Sequence, residues 1–271
     1  MRIHHLNCGT LCPFGEWLIS GEGGFGAARV VCHVLLIEAG ESLVLVETGF
    51  GTDDAAHPYR RLGVPFNLAM RPRPRVEETA VERIRALGLD PADVRHITVT
   101  HLDLDHAGGL PDFPEADVHV FADEQRAALE PTLRERSRYR RPHFAHGPRW
   151  VPYEAGGDRW LGFESVRVME GVDAEIALIP LVGHSRGHSG VAVRDGSGWL
   201  LHCGDAYFHH DEIADPPSCP PGLRGFQTIT AYDNGARKQN AERLRELARE
   251  RGDEVQMFCA HDPVDLERFA G

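Results

Sequence analysis

The chain has 271 residues, 42% of them apolar, and a formal net charge of −12 at pH 7. The apolar content is sufficient for a substantial core, whereas the negative charge argues against nucleic acid as a substrate, because phosphate backbones bind basic surfaces. No apolar run approaches the roughly 20 residues of a membrane span, and the first residues lack a long apolar segment, so we expect a cytoplasmic protein without a signal peptide.

The predicted elements of the first half begin with two apolar runs. Residues 30–37 and 42–46 are typical of strands that flank a turn. Residues 76–87 have the apolar spacing of a helix. Residues 94–100 indicate a further buried strand, which ends where a cluster of polar side chains begins. We expect the chemistry of the protein at this strand end.

The first half ends with a predicted strand at 117–121 and a helix at 122–130. The second half has predicted strands at 165–169, 177–181, 190–193 and 199–202, then a helix at 237–251 and a strand at 255–259. Strands followed by a helix, twice, favour two β-sheets packed face to face with helices outside. We therefore predict one domain over residues 1–271, with two αβ halves near 1–125 and 160–271.

Residues 131–160 separate these halves and show no clear periodicity. They are rich in Arg, Pro, His and Trp, with five arginines between positions 134 and 141. A long loop in a compact domain is often functional, so this insertion is interpreted either as a lid over a site or as a solvated surface excursion. The arginines could meet an anionic substrate or be solvated.

The most informative segment of the chain is residues 100–109, Thr-His-Leu-Asp-Leu-Asp-His-Ala-Gly-Gly. It places His101, Asp103, Asp105 and His106 within six positions. Imidazole and carboxylate groups hold zinc, iron or manganese while leaving a coordination position open for water. The two glycines allow the backbone to turn tightly around an ion.

Three more residues follow apolar strands in the same way. His184, Asp205 and His261 each come directly after a predicted strand, as His101 does. Ligands on loops at one end of a sheet can converge in space. We therefore predict that these residues complete a metal site with the cluster at 101–106.

With these residues the chain resembles the metallo-β-lactamase-fold hydrolases. Residues 100–109 match the His-x-His-x-Asp-His signature, residues 183–188 match its Gly-His-Ser/Thr-Pro-Gly-His loop, and Gly204-Asp205 and Ala260-His261-Asp262 match the last two ligand loops. The similarity covers nearly all of the chain and is greatest to lactonase-type members, which include quorum-signal lactonases. It implies a four-layer αβ/βα sandwich with two divalent metal ions, zinc first and iron or manganese as alternatives.

The resemblance also implies which residues bind each ion. His101, His184 and Asp205 would bind the first ion. A second set, in which Asp205 bridges, would bind the other: Asp105, His106, Asp205 and His261. His188 would form a hydrogen bond near the site and would not be a ligand.

Two positions depart from the family pattern. Asp103 stands where the family has its second histidine, and its harder oxygen donor favours iron or manganese relative to zinc. Whether Asp103 coordinates directly, through water or not at all stays open. Glu47 stands where the family has aspartate, and we expect it to support a ligand.

Two rival motifs fail on their context. Gly183–Gly187 fits Gly-x-Ser-x-Gly with Ser185 as nucleophile, but a nucleophile elbow requires a following helix and a strand is predicted there. Gly21-x-Gly-x-x-Gly26 resembles a dinucleotide fingerprint, yet β-branched residues follow it. We interpret that segment as a loop at the rim of the site.

These observations predict a binuclear metal-dependent hydrolase of an ester, lactone or related acyl bond in a small molecule. A hydroxide bridging the two ions would attack the carbonyl carbon. Asp105 or Asp103 could take the proton, and Tyr207 could donate a hydrogen bond to the oxyanion. His209 and His210 could also reach the site, and apolar residues within the first thirty could either wall a pocket for an acyl chain or pack as core.

Two alternatives remain open. The site could be a di-iron centre for redox chemistry, or the protein could be a ligand-binding member with slow turnover. We expect neither nucleic acid nor membrane as a partner, and a homodimer is one option for the assembly. The six cysteines lack CxxC spacing and are expected to be free thiols, with Cys8 and Cys12 as a less favoured metal or redox pair.

Overall fold

The computed structural model describes residues 1–169 and 171–269, and two six-stranded β-sheets organise this part of the chain. The first sheet contains, in spatial order, β1 (Arg2–Leu11), β2 (Val30–Ala39), β3 (Ser42–Val46), β4 (Val94–Thr98), β5 (Asp117–Phe121) and β6 (Arg149–Tyr153). The second contains, from one edge to the other, β12 (Val255–Phe258), β11 (Gly198–His202), β10 (Ser189–Asp195), β9 (Ile176–Pro180), β8 (Phe163–Val168) and β7 (Asp158–Trp160).

The α-helices lie between and after these strands. In chain order they are α1 (Glu16–Ser20), α2 (Thr52–Ala56), α3 (Pro58–Arg61), α4 (Val64–Met70), α5 (Ala80–Ala86), α6 (Ala122–Leu129), α7 (Pro221–Thr230), α8 (Asn234–Arg251) and α9 (Pro263–Arg268). In the described ranges, no helix combines the length and the apolar character that crossing a bilayer requires.

Alternating side chains of the central strands enter different cores, which produces four layers. On β2, Leu35 and Ile37 pack between the two sheets against β9 and β10, whereas Val34 and Leu36 pack on the outer face with α5 and α6. The second sheet is covered in the same way by α8, through Leu244. Both faces of each central strand are therefore buried, which explains their nearly continuous apolar sequence. The predicted αβ/βα sandwich is confirmed.

The strand ends position the polar residues at one edge of the sandwich. β4 is parallel to β3 and β5, and β12 is parallel to β11. The loops that follow β4, β9, β11 and β12 carry, respectively, residues 101–106, His184, Asp205 and His261. Parallel strands end at the same edge of a sheet, so both sheets deliver polar side chains to the same region.

Several elements differ from the sequence prediction. The first strand, β1, was not predicted, because its His, Asn and Thr residues mask the apolar pattern. The segment 131–160 is not a structureless excursion, since it contains β6, which pairs with β5 in parallel, and β7. The last long helix begins at Asn234, ahead of the predicted start, because the Asp233 carboxylate accepts hydrogen bonds from Gly235 N and Ala236 N and caps the first turn.

Candidate metal centre

The structure brings the seven predicted ligands together between the ends of the two sheets. His101, Asp103, Asp105 and His106 come from the loop after β4, and the other three residues come from the second sheet. His101, His106, His184 and His261 are buried, as is Asp205. Their ligand atoms form two groups that meet at Asp205.

The first group surrounds one carboxylate oxygen of Asp205. Its Oδ2 lies 3.4 Å from His184 Nε2 and 3.8 Å from His101 Nε2. Asp103 belongs to this group, because its Oδ2 lies 3.1 Å from His184 Nε2 and 3.4 Å from His101 Nε2. Asp103 is therefore close enough to act with these histidines, although its side chain is shorter than imidazole.

The second group surrounds the other oxygen of the same carboxylate. Asp205 Oδ1 lies 3.2 Å from His261 Nε2 and 3.3 Å from His106 Nε2. Asp105 completes the group, with Oδ2 at 3.7 Å from His261 Nε2 and Oδ1 at 4.0 Å from His106 Nε2. Asp205 thus stands between the two groups and offers one oxygen to each.

The donor set fits a pair of divalent ions. His101 Nε2 and Asp205 Oδ1 are buried and, among the described residues, have no hydrogen-bond partner. Buried polar atoms without a partner are rare and need an explanation such as a bound ion. Neutral imidazole nitrogens with carboxylate oxygens suit zinc, iron and manganese, so the chemistry of these residues is that of a metal centre.

Polar contacts behind three of the four rings help to turn Nε2 toward the centre. His261 Nδ1 donates to Val31 O at 2.7 Å, His106 Nδ1 lies 3.2 Å from Glu47 Oε2, and His101 Nδ1 lies 2.9 Å from Thr100 Oγ1. Such partners fix the tautomer and the orientation of a metal-binding histidine.

His188 is held in the same neighbourhood but does not face the centre. Its Nδ1 donates to Leu181 O at 3.0 Å, and its Nε2 accepts a hydrogen bond from Asp205 N at 2.9 Å. Burial lowers the pKa of His188 to about 3, so the ring is neutral and can accept that bond. This hydrogen bond positions the backbone of Asp205, and it agrees with the hydrogen-bonding role that the resemblance implied for His188.

The charges of the site act on one another strongly. Although burial opposes ionisation, the neighbouring imidazoles of His261 and His106 hold the pKa of Asp205 well below its usual range. Burial likewise disfavours the charged form of His106, but the carboxylates of Asp205 and Glu47 raise the pKa of this ring well above its ordinary value. Burial raises the pKa of Asp105, so the pKa values of Asp105 and Asp205 are shifted in opposite directions.

A cavity of about 1210 Å³ leads to these residues. Asp103, Asp105, His184, Asp205 and His261 line one side of it. The other walls are largely apolar and include Leu11, Trp17, Ile19, Leu62, Phe66, Met70, Phe208, Leu223, Phe226 and Ile229. The site is therefore accessible to a small molecule with an apolar part.

A match to a protein-family model tests the family relationship that the sequence motifs indicated. The model of the metallo-beta-lactamase superfamily matches residues 27–256, which include six of the seven predicted ligands, and His261 lies just beyond its end. The chain belongs to the metallo-β-lactamase superfamily. The resemblance inferred from the sequence is confirmed.

Members of the superfamily with similar sequences or structures cover almost the whole chain. A probable metallo-hydrolase of Mycobacterium tuberculosis is 42% identical over 271 residues, which are 100% of this chain and 83% of that protein. The N-acyl homoserine lactonase AttM of Azorhizobium caulinodans is 32% identical over 265 residues, 97% of this chain and 94% of that protein.

A solved structure shares the fold. It is an N-acyl homoserine lactone hydrolase with the product N-hexanoyl-L-homoserine bound at its catalytic metal centre. It superimposes with a TM-score of 0.70 at 21% identity and covers 98% of this chain and 95% of that chain.

Tyr207, which the sequence analysis placed in the active site, lies outside it. The side chain is fully buried in the core beneath α8, together with Cys203 and Cys259, and it does not line the cavity. Burial raises the pKa of the Tyr207 phenol well above its ordinary value. The prediction that this hydroxyl donates to a substrate oxyanion is wrong, because the loop after Asp205 turns the ring into the core. Its neighbour Phe208 faces the site instead, stacked on His261 with ring centroids 5.4 Å apart.

Glu124 is a supporting residue that the sequence did not reveal. Its carboxylate accepts hydrogen bonds from Leu102 N and Gly187 N, both at 3.0 Å, and from Ser185 Oγ at 2.6 Å. Tyr139 also donates to it, at 3.0 Å. Glu124, at the start of α6, thus joins the two loops that carry His101 and His184. Ser185 is followed by the strand β10 and not by a helix, and the Ser185 hydroxyl donates its hydrogen bond to Glu124. Both observations exclude the nucleophile-elbow interpretation.

The remaining candidates lie at the edges of the centre. His209 and His210 line the cavity, with His210 Nδ1 2.8 Å from Asp262 Oδ2. The Cys32 thiol lies within 4.8 Å of ligand atoms of Asp105 and His261, and burial raises its pKa well above its ordinary value. The strand β2 follows Gly21–Gly26, so that segment lacks the helix of a dinucleotide site.

Glu47 lies behind the ring of His106, and its replacement is expected to weaken metal binding. It has a left-handed φ of 68°, and its Oε1 accepts a hydrogen bond from Thr100 N at 2.7 Å while Oε2 faces His106. In Glu47→Gln an amide N–H would oppose the Nδ1 proton of His106, so we expect the metal affinity of the second group to fall about 10- to 100-fold. Competition with a chromophoric chelator measures this. Glu41→Gln, in the exposed turn before β3, is the control, and equal affinities in the two variants would contradict the role of Glu47.

Proposed function

We propose that this protein is a binuclear metal-dependent hydrolase that opens a lactone ring or a related ester bond in a small molecule with an apolar substituent. The observation that carries the proposal is the pair of ligand groups that share Asp205 beside a large cavity. The sequence similarity to lactonases over 97% of the chain supports this choice of bond.

The two groups of residues would hold one ion each. His101, His184 and Asp103 would hold the first, and His106, His261 and Asp105 the second, with Asp205 between them. Divalent ions held there would lower the pKa of a bound water to about 7 and polarise a carbonyl oxygen. We propose zinc, and the third carboxylate also makes the site suitable for iron or manganese.

Asp105 is proposed to handle the proton of the reaction. Its carboxylate lines the cavity and lies beside His106 and His261, so one of its oxygens can reach a water bound at the centre. Hydrolysis adds the oxygen of water to the acyl carbon and breaks the bond to the alcohol oxygen. One Asp105 oxygen accepts the proton of the attacking water and returns it to that alcohol oxygen, so that protons balance.

The apolar walls are proposed to orient the substrate. Phe208 packs on the His261 ring, and Phe226 lies against Phe208 with ring centroids 5.6 Å apart. Phe66, Met70 and further apolar residues complete a surface that extends away from the ligands. An acyl chain on this surface would lose its contact with water, which favours binding by at most about 0.8 kcal/mol per methylene group.

Chelation and a series of acyl chains test this function together. The purified chain is assayed with N-acyl homoserine lactones of increasing chain length and with an aryl ester, before and after chelation and again after Zn²⁺ is added back. We expect chelation to abolish hydrolysis and Zn²⁺ to restore it. We also expect kcat/KM to rise by at most about fourfold per methylene group.

Metal analysis of the same preparation identifies the alternatives. Hydrolysis that persists after chelation would contradict the proposal and would assign the chemistry to a protein nucleophile. Bound iron without hydrolysis of any of these substrates would favour the redox function instead.

A further inference from the structure

We infer that Arg138 is a positioning residue, which holds Asp103 so that one carboxylate oxygen faces the first ligand group. The inference rests on the proposed function and deepens it, because it concerns how this chain uses an aspartate among the metal ligands. Arg138 lies in the segment between α6 and β6, outside the ligand loops.

The guanidinium of Arg138 is fixed by two backbone carbonyl groups. Its Nη1 donates to His184 O at 2.8 Å, and its Nη2 donates to Thr230 O at 2.6 Å. Only 14% of the side chain is exposed. These bonds leave the third edge of the group, Nε, directed at Asp103, where Nε and Oδ1 are 3.5 Å apart.

The two oxygens of Asp103 consequently have different surroundings. Oδ1 is buried and, within the part of the chain that the structure describes, has no hydrogen-bond partner, so the Arg138 cation is what compensates it. Oδ2 faces the opposite way, toward His184 Nε2 and His101 Nε2. A carboxylate that is held through one oxygen presents the other in a fixed direction, as other supported metal ligands do.

Charge explains why the supporting residue is an arginine. Asp103, Asp105 and Asp205 bring three negative charges into one pocket, and like charges at short range in a protein interior repel one another strongly. The Arg138 cation lowers this repulsion at the carboxylate that is most exposed of the three. Its planar fork serves three acceptors at once, which the single ammonium group of lysine cannot do in the same geometry.

A purely structural role for Arg138, in which it acts as a latch that joins two loops, would also explain part of these contacts. Arg138 joins the His184 loop to the end of α7 through Thr230, whatever residue stands at position 103. The two roles differ in one respect. A latch serves the metal site equally with any residue at position 103, whereas a positioning role requires Asp103.

A double-mutant cycle separates them. The four proteins are the wild type, Arg138→Met, Asp103→His and the double variant, and the readouts are Co²⁺ affinity, by competition with a chromophoric chelator, and the visible absorption spectrum of bound Co²⁺. We expect Arg138→Met to weaken one of the two Co²⁺ sites about 10- to 100-fold and to alter its spectrum. In the Asp103→His background the same change should alter affinity within about twofold, because a neutral imidazole has no carboxylate oxygen to be held.

Arg140→Met is the matched control. Arg140 lies in the same segment, lines the same cavity and also donates to two backbone carbonyl groups, those of Arg60 and Arg61, but it does not contact a ligand. We expect its Co²⁺ affinity to match the wild type within about twofold. If Arg138→Met does not fold, as judged by circular dichroism, Arg138→Lys replaces it in the same cycle.

The outcomes distinguish this inference from the proposed function. Equal losses of affinity in the wild-type and Asp103→His backgrounds, or no loss in either, would overturn the positioning role while leaving a two-metal hydrolase intact. A wild-type chain that binds no Co²⁺ would overturn both.

Discussion

Replacement of Asp205 by asparagine is expected to reduce lactone hydrolysis by at least about 10³-fold, since an ion contributes several kcal/mol to the stabilisation of developing charge. The variant keeps the size of the side chain but removes its charge and one of the two oxygens that face the ligand groups. We therefore also expect the metal content to fall from two ions to one or fewer.

Metal content and kcat/KM, measured on the same preparation, check this result. The control is Asp253→Asn, because Asp253 is exposed in the turn before β12 and is not a ligand-loop residue. A variant at position 205 that retains two ions and wild-type turnover would show that the two groups do not share this carboxylate.

The second large effect is expected on stability. Replacement of Glu124 by alanine should lower the free energy of unfolding by about 3 kcal/mol or more, because each buried donor left without a partner costs about 1–3 kcal/mol. The carboxylate is fully buried, and its loss would leave the N–H groups of Leu102 and Gly187 unpaired. Two hydroxyl groups, of Ser185 and Tyr139, would lose their acceptor at the same time.

Urea denaturation of the metal-free proteins measures this change without interference from bound ions. Glu130→Ala, at the exposed end of the same helix, is expected to change the unfolding free energy by less than about 0.5 kcal/mol. Similar values for the two variants would mean that Glu124 does not stabilise the ligand loops. A Glu124→Gln variant should be intermediate, since its amide retains one acceptor oxygen.

The candidate ligands could be predicted because each of their loops follows a buried strand. An apolar run has a recognisable end, and a histidine or aspartate directly after it is placed at the edge of a sheet whatever the details of the turn. His101, His184, Asp205 and His261 were identified in this way, and the structure brings them together. The layer architecture followed from the same runs of apolar residues.

The supporting residues could not be found by the same reasoning. Glu124 looks like an ordinary acidic residue in the first turn of a helix, and its four partners come from three separate segments. Arg138 stands among several arginines whose surroundings the sequence does not distinguish. Their roles depend on contacts with residues far away in the sequence, which a local sequence pattern does not reveal.

Two errors have local physical causes. The strand β6 has a mixed pattern of exposed and half-buried residues and contains Pro152, as is typical of a strand at the edge of a sheet, so it lacks the signal of a buried strand. The direction of Tyr207 depends on the turn around Asp205, in which the preceding residue, Gly204, has a left-handed φ of 54°. One residue of difference in such a turn decides whether a ring enters the core or the cavity.

The candidate ligands come from both sheets. Four of them lie in the loop after β4 of the first sheet, and three lie in loops of the second sheet. Ions bound between them would act as cross-links that tie the halves of the sandwich together, in addition to the packing of side chains. Folding would then be linked to cation supply, with stability rising as the logarithm of the free ion concentration. Metal scarcity would shorten the lifetime of the protein itself, through proteolysis of opened molecules, as well as slowing its catalysis.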